Sequence, residues 1–152
     1  MATLEVARSV EIGVDPVVVR RQFGDVAHHA ATGVHRDVVF EVIAEDEARC
    51  RYRQTSKVGP LRLRQEFELD RDEHGPLVNR IVAGPFEGGA ITFDVAHAEH
   101  DAAIVTARLT APLRAPLRVL APVMRWQVGR QLAAALDEDK RDLEGGSYPS
   151  TA

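Results

Sequence analysis

The stretch from residue 114 to residue 144 has the hydrophobic period of one long helix. Apolar residues recur there at spacings of three, four and seven, which places them on one helical face. They are Leu117, Leu120, Met124, Val128, Leu132, Leu136 and Leu143. Pro122 should start or kink the main helix, and the Gly145–Gly146 pair should end it. A long helix with one apolar face must be covered by the rest of the chain.

Asp139 interrupts the apolar face of this helix. It lies three residues after Leu136 and four before Leu143, whereas Asp137 and Glu138 point away from the apolar stripe. A carboxylate on a buried face needs a hydrogen bond, a cation or a metal. The alternative is that the last turn frays and leaves Asp139 solvated.

The chain before the helix alternates apolar and polar residues, which is the period of half-buried strands. The predicted strands cover residues 3–14, 38–44, 49–55, 61–69, 77–83, 90–96 and 102–110. Two short helices are predicted after the first strand, at 17–23 and 25–32. The connections between the later strands are short, with turns at 58–60 and 70–76 among them, and this favours an antiparallel meander over a parallel sheet.

These elements predict an α+β fold, in which a curved antiparallel sheet of about seven strands wraps on the long C-terminal helix. Residues 1–146 form this one domain, and residues 147–152 form a flexible tail. The space between sheet and helix is a natural cavity. The candidate ligand-binding side chains are Gln65, Phe67, Phe93, Met124, Arg125 and Val128. The alternative to a cavity-lining role for a polar residue such as Gln65 is an ordinary edge or rim position.

The composition limits the classes of partner and the cellular compartment that we expect for this chain. The chain has 152 residues, 45% of them apolar, and a net charge of -4, which is ordinary for a globular protein and argues against nucleic acid as a partner. It contains no apolar run long enough to span a bilayer and no signal-peptide pattern at its start. The single cysteine, Cys50, excludes an internal disulfide and a cysteine-ligated iron–sulfur cluster. We therefore expect a cytoplasmic protein.

The stretch FGDVAHHAATGVHR contains three of the six histidines. Imidazole is the commonest transition-metal ligand, and two histidines with one carboxylate form the facial site of non-haem iron oxygenases. Gly33 could end the short helix and let His35 fold back toward His28 or His29. In an unbroken helix His28 and His35 would lie about 10 Å apart along the axis, too far to share one ion. The alternative is a solvated pair of histidines.

The element order resembles that of the START-like superfamily, also called helix-grip or SRPBCC, which includes polyketide cyclases, Bet v 1-like proteins and lipid-transfer domains. The resemblance covers nearly the whole chain. It implies a small hydrophobic ligand, aromatic or polyketide-like, held between the sheet and the last helix. Cyclase-type chemistry would also need an acid or base in that cavity, for which Asp139, His35 and Arg125 are the candidates.

Three short motifs are also similar to those of the catalytic domain of Rieske-type oxygenases, of the vanillate demethylase and dicamba monooxygenase kind. DVAH (25–28) and GVHR (33–36) resemble the two halves of the family's iron motif. EDKRDLE (138–144) resembles the helical segment that carries the third iron ligand. The spacing between the histidines is longer than in the family, and no cluster-binding domain is present.

This second resemblance implies Fe(II) held by His28 or His29, His35 and Asp139. Asp25 would be the residue that relays electrons from a neighbouring cluster. Because the chain has one cysteine, the electrons would have to come from a separate ferredoxin-type protein.

The sequence thus leaves three functions open, and with them the question whether the protein is an enzyme. The first is a domain that binds a small hydrophobic ligand, with or without cyclase chemistry. The second is a mononuclear non-haem iron oxygenase component. The third is a non-catalytic domain that forms a homo-oligomer through a sheet edge or a helix.

Overall fold

A seven-stranded antiparallel sheet wraps around the C-terminal helix in the computed structural model of the protein, which describes residues 2–58, 60–71 and 75–149. The predicted turns at 58–60 and 70–76 include residues outside these ranges. The strands are β1 (Ala2–Ile12), β2 (Val38–Glu45), β3 (Arg49–Val58), β4 (Leu61–Asp70), β5 (Leu77–Ala83), β6 (Ala90–Ala98) and β7 (Ala102–Leu113). The helices are α1 (Pro16–Phe23), α2 (Val26–Thr32) and α3 (Ala121–Glu144), with 3₁₀ turns at Glu99–Asp101 and Leu117–Leu120.

The strand order is β1-β7-β6-β5-β4-β3-β2, and every neighbouring pair is antiparallel. β2 to β7 form the predicted meander, and β1 closes it by pairing with β7. Because β1 and β2 lie at opposite edges, α1 and α2 carry the chain across the sheet. The predicted α+β helix-grip architecture is confirmed.

Both short helices begin at an aspartate cap. The side chain of Asp15 accepts a hydrogen bond from the backbone N–H of Val17, and that of Asp25 accepts one from His28. Gly33 follows α2 with a φ of 61°, the left-handed conformation that ends a helix and favours glycine. The chain therefore turns back after α2, as the sequence predicts.

Helix α3 packs mainly against β1. Gly129 lies so close to that strand that a Cβ there would collide with the guanidinium of Arg8. Leu136 and Leu143 are buried on the predicted face, together with Asp139. Leu120 was predicted on the same face but is 51% exposed, because the 3₁₀ turn Leu117–Leu120 has a tighter period than the α-helix that follows it. In the described residues, no helix is long and apolar enough to cross a membrane.

The start of the predicted flexible tail is packed against the domain. Tyr148 is buried, its ring lies edge-on to that of His28, and its hydroxyl donates a hydrogen bond of 2.9 Å to Oδ2 of Asp25. Arg21 donates a hydrogen bond to the carbonyl oxygen of Pro149. Residues 147–149 of the predicted tail thus include the buried Tyr148, and residues 150–152 lie outside the described residues.

Candidate functional site

A cavity of about 190 Å³ lies between the concave face of the sheet and α3. It exists because α3 lies over β1 near one edge of the sheet, so the central strands face open space. The lining is mainly apolar and includes Phe23, Val26, Phe40, Phe86, Ile91, Phe93, Leu109, Val128, Leu132 and Leu136. An apolar cavity of about 150 Å³ can hold benzene, so this one has room for a ring-sized ligand.

Three polar residues of the cavity lining lie close together: His29 from α2, His35 from the following loop, and Asp139 from α3. All three are buried. Nε2 of His29 lies 2.8 Å from Oδ1 of Asp139, and Nε2 of His35 lies 3.5 Å from Oδ2. Asp139 is therefore neither frayed nor solvated, and two imidazoles surround its carboxylate.

The other ring nitrogen of each histidine has its own partner. Nδ1 of His29 lies 2.8 Å from the carbonyl oxygen of Asp25, to which it donates a hydrogen bond. Nδ1 of His35 lies 3.1 Å from Oε1 of Glu138. These outer contacts fix both ring orientations and direct Nε2 of each ring toward Asp139.

The structure corrects the prediction that the Glu138 side chain points away from the buried face. Its Oε2 accepts a hydrogen bond from the backbone N–H of Arg36, while Oε1 contacts His35. The loop after α2 folds over this turn of α3 and supplies both contacts. A helical wheel does not show this, because the covering residues are distant in the sequence.

The electrostatics of the cluster favour a charged His29. Burial lowers the pKa of His29, but the hydrogen bond and charge of Asp139, the bond to Asp25 and the charge of Asp142 together raise it above the usual 6.5. Both ring nitrogens of His29 face oxygen acceptors, which is the arrangement that an imidazolium satisfies.

Gln22 connects the cluster to a second carboxylate. Its Nε2 donates to Oδ1 of Asp139 and to Oδ2 of Asp142, and Asp142 also contacts Nε2 of His28 at 2.8 Å. Oε1 of Gln22 is buried without a hydrogen-bond partner among the described residues. His28 thus belongs to this outer layer and not to the group around Asp139.

Three further polar residues, Tyr52, Gln65 and Asn79, also line the cavity. The Tyr52 hydroxyl donates a hydrogen bond of 2.8 Å to Oδ1 of Asn79, and burial raises the pKa of Tyr52 so that the phenol stays neutral. Oε1 of Gln65 accepts a hydrogen bond from the backbone N–H of Phe86. Nε2 of Gln65 is then the atom that can donate to a ligand oxygen.

Half of the predicted ligand-binding residues line the cavity. Gln65, Phe93 and Val128 do so, whereas Phe67, Met124 and Arg125 do not. Tyr52 stacks on Phe67 with ring centroids 5.1 Å apart and takes its place in the lining. Met124 packs against the core and Arg125 is exposed on α3.

Among the predicted metal ligands, the structure brings together His29, His35 and Asp139, with one ligand atom from each within 4.8 Å of the others. His28 is paired with Asp142 instead. Asp25, predicted to relay electrons, caps α2 and accepts from Tyr148 and His29 without lining the cavity.

Two residues that contact the cluster, Glu138 and Gln22, were not among the predicted site residues. No feature of the sequence indicated that Glu138 would contact a buried side chain. Gln22 did give a signal, because it lies on the buried face of α1 beside Val18, Val19 and Phe23, where a polar side chain needs a partner.

No family model matches the chain, and no curated protein matches it. Solved structures of the same fold do. The chain resembles the Zhui aromatase/cyclase from Streptomyces sp. R1128 with a TM-score of 0.85 and 13% identity, over 99% of this chain and 99% of that one. It resembles TTHA0849 from Thermus thermophilus with a TM-score of 0.84 and 20% identity, over 94% and 99% of the two chains. It resembles a START superfamily protein from Mycobacterium smegmatis with a TM-score of 0.77 and 11% identity, over 93% and 97%.

At these identities the similarity establishes the fold. The chain has the START-like fold, with a mainly apolar cavity whose lining includes a buried cluster of two histidines and an aspartate. The predicted resemblance to Rieske oxygenase catalytic domains gains no support from these structures.

Proposed function

We propose that the protein binds a small, largely apolar ligand, aromatic or polyketide-like, in the cavity between the sheet and α3, and carries out cyclase-type acid–base chemistry on it. One observation carries the proposal: three buried titratable side chains of the cavity lining, His29, His35 and Asp139, lie close together. A mainly apolar pocket with a few convergent polar groups is the usual form of a small-molecule site. Two-domain and single-domain aromatase/cyclases share this fold, which supports the chemical part.

His35 is the residue that we assign to proton transfer. Its Nε2 is 3.5 Å from Asp139, a long contact that a ligand atom can replace, whereas both nitrogens of His29 are held at 2.8 Å. Glu138 fixes the ring through Nδ1, as an orienting carboxylate does for a general base. Ring closure of a polyketone needs a base that removes a proton from a carbon beside a carbonyl and an acid that protonates the attacked carbonyl oxygen.

Asp139 and His29 would hold this base in place and set the charge of the site. The carboxylate of Asp139 faces His29 and His35 on different oxygens. Gln65, which also lines the cavity, would donate a hydrogen bond from Nε2 to a ligand oxygen and so orient the ligand. The proposal needs no cofactor, no ferredoxin-type electron donor and no homo-oligomer.

Ligand binding is tested with 1-aminoanthracene, an uncharged aromatic probe whose emission rises in apolar surroundings. We expect saturable binding to the wild type and its loss in Val128→Trp, which fills the cavity. Val123→Trp is the matched control, because Val123 lies on the same helix with 63% of its surface exposed. No saturable binding by the wild type, or unchanged binding by a folded Val128→Trp variant, would overturn the proposal.

The chemical step is tested separately with a linear poly-β-keto thioester. We expect a ring-closed, dehydrated product, detected by mass spectrometry, with the rate reduced by at least about a hundredfold in His35→Ala and less in Glu138→Gln. Probe binding that persists in His35→Ala would separate catalysis from ligand binding. A wild-type rate equal to that in buffer would leave a binding protein without cyclase activity.

We also infer a second candidate function, the binding of a divalent metal ion at the same cluster, because the donor set fits one. Imidazole and carboxylate donors suit Fe(II) and its neighbours, and each histidine has its Nδ1 tied to an oxygen, the arrangement usual for metal-bound histidines. The separations of 2.8 and 3.5 Å from Nε2 to the Asp139 oxygens bracket the spacing of about 3 Å between neighbouring ligands on bonds of about 2.1 Å. When bound, such an ion would act as a Lewis acid toward a ligand oxygen.

Elemental analysis of untagged protein decides between the two uses of the cluster. A metal site predicts stoichiometric metal in the wild type and in His28→Ala, and its loss in His35→Ala. Wild-type protein that retains no metal after anaerobic addition of Fe(II) and dialysis would exclude the metal site and leave the acid–base function as the one to pursue.

A further inference from the structure

Four large apolar side chains stand exposed in the 3₁₀ turn before α3 and in the first turns of α3, and we call them the outer patch. They are Val119, Leu120, Val123 and Trp126, with 84%, 51%, 63% and 59% of their surfaces exposed. Neighbouring apolar exposure of this kind is unusual on a protein surface and marks a site of interaction.

The outer patch is held outward by the packing behind it. Leu117, Ala121, Met124 and Val128 pack against the core, at a spacing of three or four residues. Because those residues occupy the inner face, Val119, Val123 and Trp126 must lie on the outer one. The packing of the inner face of α3 therefore keeps the patch exposed, on the face of the helix opposite the cavity.

Arginines surround the outer patch. Arg114, Arg118, Arg125 and Arg130 are exposed, and the sequence has no Asp or Glu from residue 102 to residue 136. The guanidinium of Arg130 lies 4.9 Å from the ring centroid of Trp126. In the part of the chain that the structure describes, several arginines elsewhere pair with carboxylates, but none of these four does. The whole chain carries a charge of -4, so this positive region is local.

We propose that the outer patch docks the protein on an anionic phospholipid surface. Val119, Leu120, Val123 and Trp126 would enter the boundary between headgroups and acyl chains, and the arginines would contact lipid phosphates. Tryptophan favours this boundary because its ring is apolar and its N–H is polar. Arginine side chains are long enough to reach the headgroups while their stems cover apolar surface.

The composition of the patch favours a bilayer over an acidic protein. A protein interface makes about one hydrogen bond per 100–200 Å², whereas arginine and tryptophan side chains supply donors but no acceptors. Residues 114–126 contain only arginine, proline and apolar side chains. Such a surface matches hydrocarbon beneath a layer of phosphates. This proposal stands apart from the function proposed for the cavity.

Trp126 provides the test, since it is the one tryptophan of the sequence. The full chain is mixed with vesicles of phosphatidylglycerol and phosphatidylcholine, and with vesicles of phosphatidylcholine alone. We expect a blue shift of the Trp126 emission and co-sedimentation with the anionic vesicles, both weakened by salt. Brominated acyl chains should quench Trp126 in the wild-type protein, which tests insertion without any variant.

Variants identify the surface. Val119→Asp with Val123→Asp should abolish co-sedimentation, whereas Val39→Asp, at a site on β2 with 69% exposure, should leave it unchanged. Arg118→Gln should weaken binding about fivefold. Equal binding to both vesicle types, no quenching by brominated lipid, or a patch variant that still binds would overturn the proposal. An equal blue shift of the Trp126 emission with polyglutamate would also overturn it, because it would point to an acidic protein as the partner. So would a dimer that already shields Trp126 in solution.

Discussion

Nε2 of His29 lies 2.8 Å from Oδ1 of Asp139, although the two residues are 110 positions apart in the sequence. The contact joins α2 to α3 in the lining of the cavity, and both side chains are buried. A buried carboxylate beside an imidazole is stable only while each satisfies the other. The same pair therefore supports the fold and sets the charge of the candidate site.

We expect Asp139→Leu to lower the free energy of unfolding by about 3–5 kcal/mol, because it leaves Nε2 of His29 buried without its acceptor and removes one of the two acceptors of Gln22. Asp139→Asn, which keeps one oxygen acceptor, should cost less. Urea denaturation measures both. Asp137→Asn is the control on an exposed position of the same helix, expected to change stability by less than about 0.5 kcal/mol. Equal losses for Asp139→Leu and Asp137→Asn would contradict the structural role.

Stability should decrease with rising pH above about 6.5 in metal-free protein. The pKa of His29 is raised in the folded state, so the folded chain binds the proton more tightly than the unfolded chain. The resulting stabilisation is complete below the unfolded pKa of 6.5 and is lost as pH rises through the folded pKa. Each unit of difference between the two pKa values is worth about 1.4 kcal/mol.

The pH effect is measured as the free energy of unfolding against pH, beside a His29→Gln variant. Gln can still donate to Asp139 but does not titrate in this range, so the variant should show a shallower decrease. A proton NMR titration of the His29 ring should give a midpoint above 6.5. A midpoint below that value would mean that burial outweighs Asp139.

Much of the fold could be predicted from the sequence because its signals are local. Period-two alternation marks the strands, and Gly33 marks the end of α2 with a left-handed conformation that other residues rarely adopt. Asp139 was predicted to need a partner because it lies on a buried helical face. The predicted partners included His29 and His35, which the structure places beside it.

What the sequence could not show depends on contacts between distant residues. Glu138 lies on a helical face that looks exposed until the loop carrying His35 and Arg36 covers it. Phe67 lies on the predicted face of its strand, but its ring stacks on that of Tyr52, which lines the cavity in its place. A period of two predicts the face of the sheet on which a side chain lies, but not how near the cavity it lies. Leu120 continues the apolar spacing, yet a 3₁₀ turn rotates it outward.

Cys50 should be unreactive toward a disulfide reagent in the native protein. It is fully buried, and burial together with the nearby charge of Glu45 raises the pKa of its thiol to about 12. The thiolate is the reactive species, and with this raised pKa almost no thiolate is present at about pH 8. Titration with a chromogenic aromatic disulfide should show no reaction in buffer and one thiol per chain in denaturing urea. Rapid reaction in buffer would mean that β3 opens without global unfolding.

Tyr148 should stabilise the protein although it lies beyond the end of α3 at Glu144. Its hydroxyl donates to Asp25, the residue whose carbonyl oxygen holds the His29 ring, so the C-terminal segment supports the candidate site from behind. We expect Tyr148→Phe to lower the free energy of unfolding by about 1 kcal/mol through the lost hydrogen bond, and Tyr148→Ala by about 3–5 kcal/mol through the lost ring as well. Thermal and urea unfolding measure the losses, and a chain shortened by residues 150–152 is the control. If Tyr148→Ala were as stable as that control, the segment would be the loose tail that the sequence predicts.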